Sequence, residues 1–527
     1  MRGEPRAAAI VDPLTGQGSH GTRPGLLLDR QHDSFGGCAE RLGYQPDYGG
    51  CDEYSDQRNR AGFLARSVTC WVSKPTSKAW ECVNVNAAAA TARETSRIAL
   101  SVWVSGFPRR APAEPQPVVF GRICQPWQVL RPRIYHIKYI LQERMVNFTR
   151  ETEMYNILEP FAGRGLATNA DHDKWRRNRR LVQPAFHHKK INTLSEIMVA
   201  EIDAMCDEWA EHARAGRTID VGEQMSQLTL RIVVRALFGM DPHGPEVTGF
   251  CSATQRVNDE LGKFIRMPLI PLQFPTPSHR RFWRAIGEMD AIIYSVIDQL
   301  RDNDNGGLLA MLMNATDAET GKNFTDKELR DEVVTMLFAG HETSSSALTS
   351  AILLLQLHPE VGERLRDDVD TALPGGHATM TDLPSLVYNK QVIEEVLRLM
   401  PPVWMGQRRA READEIGGHL IPAGTPVMFS YYHAHRNPEV WDQPDTFDPD
   451  RFAADAVAAR DRNVYLPFGA GGHLCIGNAF AMMELQLALS TIMRRFELTI
   501  ENPDPTPATA ITLRTKFPLI ASLTERG

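Results

Sequence analysis

Apolar and polar positions divide this 527-residue chain into two textures. Residues 1–130 show no sustained helical or strand periodicity and are rich in Gly, Pro, Arg and Ser. From about Arg133 the pattern becomes helical, with Ile137, Ile140, Leu141 and Met145 spaced along one face ahead of Asn147-Phe148. Amphipathic helices are predicted over 195–213 and 222–238, and Pro268, Pro271, Pro275 and Pro277 then punctuate the chain between two more helical segments. Thr325-x-x-Glu328 is a capping box with no proline after it until Pro359, which predicts a helix of about 32 residues and about 48 Å, enough to cross a domain. A further helix ends at Pro401-Pro402. Residues 415–432 alternate and turn through Gly417-Gly418 and Pro422-Ala423-Gly424, as small antiparallel strands do. An apolar, Met- and Leu-rich helix follows over 478–496. The expected fold class is mainly α with a small β region, occupying 131–527, behind an unassigned N-terminal region, 1–130.

Composition narrows the class of molecule. An apolar fraction of 43% and an aromatic fraction of 8% suit a globular chain with a sizeable core. A net charge of −7 gives no general argument for nucleic acid as a partner. The apolar window at 98–107 is interrupted by serines and Gly106, far short of the roughly 20 residues that a membrane span needs, and no basic-then-apolar leader begins at Met1. The expectation is a cytoplasmic protein without a transmembrane anchor. Five of the eight cysteines lie in the first 124 residues, with no C-x-x-C pair and no ligand-like Cys/His spacing that would support a metal module there.

The strongest chemical signal is Pro467-Phe468-Gly469-Ala470-Gly471-Gly472-His473-Leu474-Cys475-Ile476-Gly477. Glycines let a loop fold tightly and bring backbone N–H groups close to a bound atom, and a helix N-terminus stabilises a thiolate, so Cys475 is placed to bind a metal. Iron porphyrin is the cofactor that takes one thiolate as its only protein ligand; the plainer reading is a buried cysteine in a Gly-rich loop. In the middle of the long helix, Ala339-Gly340-His341-Glu342-Thr343-Ser344 sets an acid beside an alcohol, where Gly340 and the hydroxyls allow a kink or bulge. Glu342 and Thr343 suit proton delivery, or else Glu342 faces solvent and Thr343 bonds back to a carbonyl one turn earlier. Trp175 and Arg179 share a helix face in a basic run that includes Arg176, Arg177 and Arg180, and Glu395 and Arg398 are three apart on the helix before Pro401.

Phe468-x-x-Gly471-x-x-x-Cys475-x-Gly477 resembles the haem-thiolate signature of the cytochrome P450 family, and the likeness extends over roughly three quarters of the chain. It implies the cytochrome P450 fold in 131–527, haem b (iron protoporphyrin IX) with Cys475 as axial thiolate, and Phe468, Gly471, His473 and Gly477 shaping the loop. Many members carry arginine where this chain has His473, a departure that weakens one propionate contact. By the same resemblance Ala339 and Gly340 pass over the haem, Glu342 relays protons, Thr343 orients oxygen at the iron, and Trp175, Arg179 and Arg408 bind propionates. Glu395, Arg398 and Arg451 would form a buried charge triad, and Val403, Trp404 and Met405 would line the substrate cavity. The implied activity is monooxygenation of an apolar small molecule by O2, the 401–405 segment being similar to members that oxidise fatty-acid-like or terpenoid compounds. No flavin or ferredoxin module is visible, so electrons would come from a ferredoxin- or flavodoxin-type donor with its reductase, docking on surplus basic residues such as Arg176, Arg177, Arg180, Lys189 and Lys190. The alternatives are a haem-binding or gas-sensing protein without turnover, and an inactive product whose N-terminal region is defective.

Overall fold

The computed structural model describes strands Val68–Ser73, Trp80–Val85 and Gln128–Val129 and residues 134–526 apart from 243, 267–271, 273, 303–306, 375 and 510. The remainder of the 1–130 region lies outside the described residues. The described residues from Gln128 onward belong to one compact unit.

Helix Asp326–Leu357 is the axis of this unit. Its start is fixed as the sequence predicts: the Thr325 hydroxyl accepts the Glu328 N–H at 3.3 Å and the Glu328 carboxylate accepts the Thr325 N–H at 2.9 Å. Residues 329–337 and 346–355 are buried on every face, which a helix tolerates only when other elements surround it. Those elements include Val221–Phe238, Val387–Leu399 and Asn478–Arg495. Pro359 opens the next helix, Pro359–Ala372, and closes off this one.

Three other helices lie where apolar spacing predicts them, at Ser195–Arg214, Val221–Phe238 and Asn478–Arg495, with Pro245–Arg266 and Pro277–Asp302 either side of the proline cluster, while Glu153–Ala162, Leu308–Asn314 and Pro359–Ala372 were not anticipated. Two small sheets flank the helical body. One runs Gln128–Val129, Pro426–Ser430, Met405–Ala410, Phe148–Thr149 in spatial order, its first pair parallel and the others antiparallel. The second joins Phe496–Ile500, Ile520–Glu525 and Ile219–Asp220. A C-terminal hairpin pairs Pro507–Thr509 with Leu513–Thr515. Strand Gln128–Val129 comes from the segment left unassigned by sequence, where two residues are too few for a period-2 pattern to register.

The long helix continues as α-helix through Gly340, without a π-bulge. A Cβ there would lie 3.0 Å from Val233 Cγ2, so the glycine serves close approach of Val221–Phe238 rather than a break.

Candidate active site

The Cys475 loop owes its shape to glycines at specific positions. Gly469 and Gly471 have φ of +73° and +69°, and a Cβ on Gly471 would sit 2.0 Å from the Leu141 carbonyl oxygen. The loop then closes through Cys475 N–H to Phe468 O at 2.9 Å and Leu474 N–H to Gly471 O at 3.0 Å. Gly477 caps helix Asn478–Arg495 just beyond the cysteine. Cys475 is solvent-accessible although protein atoms crowd around it, as at the wall of an interior space. Burial pushes its thiol up, and the Gly477 N–H and the Arg179 charge only partly oppose this. A metal-bound thiol is deprotonated outright, so a coordinating cation would offset this desolvation.

Beside this loop stands a cluster of cations that have no counter-ion among the described residues. Arg408, on strand Met405–Ala410, is 5% exposed and donates to Tyr155 Oη at 3.2 Å and Gln407 O at 2.6 Å. Arg150, directly after strand Phe148–Thr149, is 8% exposed and donates to Leu166 O at 2.8 Å. Arg179, on helix His172–Val182, donates to Leu474 O at 2.8 Å. Among the described residues none of the three forms an ion pair, and the Nε of Arg150 and of Arg408 has no acceptor. The electrostatics register the excess charge. Burial pushes Arg150 down to about 10, Tyr155 offsetting this and Arg408 adding to it. Tyr155 is held below its ordinary value because Arg408 and Arg150 outweigh its burial. Buried cations with unpaired N–H groups are costly unless an anion completes them. The two propionates of haem b fit that need, next to an accessible cysteine.

His473 belongs to this cluster as a neutral ring. Burial, then Arg150, Arg408, His172 and Arg179, push it down to about 2, and it packs edge-on to Trp175 with centroids 4.2 Å apart. It offers a hydrogen bond where an arginine would offer charge, and its Nδ1 has no partner among the described residues. Arg150 supplies the extra cation nearby, a residue passed over by sequence reasoning because a lone arginine after a two-residue strand carries no motif.

Within the span 329–355 of the long helix, residues 338–341, 343 and 345 are the accessible stretch, with Ala339 exposed. The Thr343 hydroxyl donates to Ala339 O at 2.6 Å, a back-bond to the preceding turn. Glu342 does not face solvent: it is 7% exposed, and its Oε1 accepts Thr512 Oγ1 at 2.6 Å and the Arg514 guanidinium. His341 binds Ser226 Oγ at 2.8 Å and is pushed down by burial, so it joins two helices.

The charge triad holds the chain that leads to Cys475. Glu395 and Arg398 are both 0% exposed, paired through Arg398 Nε–Oε2 at 2.6 Å and Nη2–Oε1 at 2.7 Å, with Arg451 Nε 3.5 Å from Oε1. His435, buried and pushed down to about 3 by burial and the neighbouring arginines, accepts the Leu466 N–H at 2.9 Å and so braces the approach to Pro467. Val403 is 46% exposed and Trp404 5%. The basic run is largely neutralised: Arg177 meets Glu328 at 2.8 Å, Arg180 meets Asp317 at 2.9 Å, and Arg176 lies 3.6 Å from Glu319. Lys189 and Lys190 remain exposed.

Comparison with known proteins identifies the family and the fold. The family model described as Cytochrome P450 matches residues 129–520. The chain is 38% identical over 376 residues to the cyclooctatin synthase of Streptomyces melanosporofaciens, covering 69% of this chain and 78% of that one. It is 38% identical over 354 residues to cyclooctat-9-en-7-ol 5-monooxygenase of the same organism, covering 66% and 74%. The pentalenene oxygenase of Streptomyces avermitilis is 33% identical over 359 residues, with 68% and 78% covered. Among solved structures, the haem domain of cytochrome P450DA superposes with a TM-score of 0.68 at 27% identity, over 75% of this chain and 87% of that one.

Proposed function

Because the chain belongs to the cytochrome P450 family and is a monooxygenase that uses haem b, we propose that Cys475 is the axial ligand and that the substrate is a cyclic terpenoid hydrocarbon or alcohol. The observation that carries the assignment is the pair of buried arginines 150 and 408, with half-buried Arg179, which have no ion pair among the described residues and stand beside an accessible cysteine. Arg150, Arg179, Arg408 and Trp175 would hold the propionates, and Phe468, Gly471, His473 and Gly477 would shape the ligand loop. When bound, the haem supplies activation of O2 and insertion of one of its atoms into the substrate.

The chain's own residues have three tasks. Ala339, Gly340, Val403 and Trp404 present an apolar surface that orients a hydrocarbon and excludes water. Thr343 trades its bond to Ala339 O for one to a water or to oxygen, so the hydroxyl holds a proton where the oxygen is reduced. Glu342, with one oxygen anchored, passes protons inward. The terpenoid class rests on the Streptomyces relatives. Electrons would come from a separate ferredoxin- or flavodoxin-type donor meeting the exposed Lys189 and Lys190, with the haem domain taken as 131–527. Among the described residues no helix is long and apolar enough to cross a membrane.

The test uses purified protein with a surrogate ferredoxin and reductase, pentalenene and cyclooctat-9-en-7-ol as probes, and 18O-labelled O2. A product that carries one 18O atom is expected from at least one of them. Tight spectral binding of fatty acids with no response to either terpenoid would move the substrate class elsewhere.

A further inference from the structure

We propose that Thr512 and Arg514, in the C-terminal hairpin, are positioning residues for proton transfer by Glu342, and that this hairpin ties the acid to the wall of the substrate cavity. The inference rests on the reading of Glu342 as the proton-passing group. Its observation is a closed triangle: Thr512 Oγ1 donates to Glu342 Oε1 at 2.6 Å, the Arg514 guanidinium donates to the same oxygen, and Arg514 Nε donates to Thr512 Oγ1 at 3.2 Å. All the anchoring falls on Oε1; among the described residues Oε2 accepts nothing. A carboxyl fixed through one oxygen, with the other open to a water, is the arrangement a proton-passing group needs, since geometry comes before acidity in proton transfer.

Two further bonds make the hairpin more than a local clamp. Ser346 Oγ donates to Leu513 O, one helical turn beyond Glu342. On its other side Leu513 N–H donates to Pro402 O at 2.9 Å, immediately before Val403 and Trp404. Leu513 is therefore bonded at once to the acid's helix and to the segment assigned to the substrate wall, with Thr512 and Arg514 on either side of it. Displacement of residues 402–404 by a poorly fitting substrate would be transmitted to the groups that hold Glu342. The ion pair is half-exposed on the arginine side, at 48% for its side chain against 8% for Glu342, and such pairs add little to stability. Its effect is therefore expected in coupling rather than in folding.

The experiment compares Glu342→Gln, Arg514→Met, Arg514→Lys and Thr512→Val in the full chain loaded with haem. Pentalenene or cyclooctat-9-en-7-ol serves as probe, whichever is converted. Product formed per O2 consumed and the solvent deuterium isotope effect on turnover are measured, and the carbon monoxide spectrum and hydrogen exchange of 507–515 report integrity. Turnover is expected to fall by about a hundredfold in Glu342→Gln. Arg514→Met should lose about tenfold in coupling, with a larger isotope effect, as expected when a proton-passing group is misplaced. Arg514→Lys should recover most of this loss, and Thr512→Val should fall between. Wild-type turnover in Glu342→Gln would overturn the reading of Glu342 itself. A strong loss in Glu342→Gln with wild-type coupling and isotope effect in both Arg514→Met and Thr512→Val would overturn the positioning role. Should Arg514→Met lose its carbon monoxide spectrum, Thr512→Val decides alone.

Discussion

Replacing Glu395 with Gln strands a buried guanidinium. The wild-type carboxylate takes two bonds from Arg398 and one from the Asp448 N–H at 2.9 Å, and Glu395 and Arg398 are both 0% exposed. Glutamine keeps the shape and one acceptor but removes the charge, and arginine has no neutral form to retreat to. Arg398 retains its bonds to the carbonyls of His435, Pro444 and Thr446 at 2.8, 2.6 and 3.0 Å, which soften the loss without neutralising it. Breaking one side of a buried pair costs about 3–5 kcal/mol, and the surviving carbonyls place this case at the lower end. That is at least about a hundredfold in the folded-to-unfolded ratio, a large part of the roughly 5–15 kcal/mol that holds a domain together. Adding Arg398→Met removes the stranded charge but leaves three carbonyls without a donor, so it restores only part of the loss. The assay follows the reduced carbon monoxide band through a urea series. Lys390→Gln is the control, because its pair with Glu394 is 54% exposed on the lysine side and is worth about 1 kcal/mol or less. A midpoint for Glu395→Gln no lower than that of Lys390→Gln would refute the argument.

Other consequences can be checked separately. Arg150→Gln should release haem to an acceptor protein about tenfold faster than wild type, since charge-assisted bonds to an anion are the strong ones; an unchanged release rate removes Arg150 from the propionate site. Thr343→Ala should leave O2 consumption intact while diverting it to hydrogen peroxide and water, measured by peroxide assay; normal coupling removes Thr343 from the mechanism. Glu484, 0% exposed, is pushed up to about 8 by burial, which a hydrogen bond from the Ser344 side chain only partly offsets. A raised carboxyl holds its proton in the folded state, so this contribution to stability is fully present below the unfolded value of about 4.5 and is lost as pH rises through about 8. Glu484→Gln should therefore match wild type near pH 5 and melt higher near pH 9. Parallel melting curves across that range would show that Glu484 does not titrate as described.

Much of the fold was legible because it is helical. The capping box at Thr325 and the stop at Pro359 set the long helix to within a residue or two, and the apolar spacing of 195–213, 222–238 and 478–496 survived into the structure nearly unchanged. The loop around Cys475 was legible because glycines at 469 and 471 are required by positive φ and, at 471, by the nearness of Leu141 O. What escaped depends on contacts distant in sequence. Arg150 becomes a site residue only when strand pairing brings it beside Arg408, and Arg514 meets Glu342 across 172 positions.

The central claim is that Cys475 ligates haem iron as a thiolate. The most direct measurement is the difference spectrum of the dithionite-reduced protein with and without carbon monoxide, for wild type and Cys475→Ala. The account predicts a strongly red-shifted Soret band in wild type that is absent from Cys475→Ala. A wild-type band of the imidazole or neutral-thiol kind, or an unshifted wild-type spectrum persisting in Cys475→Ala, would contradict it.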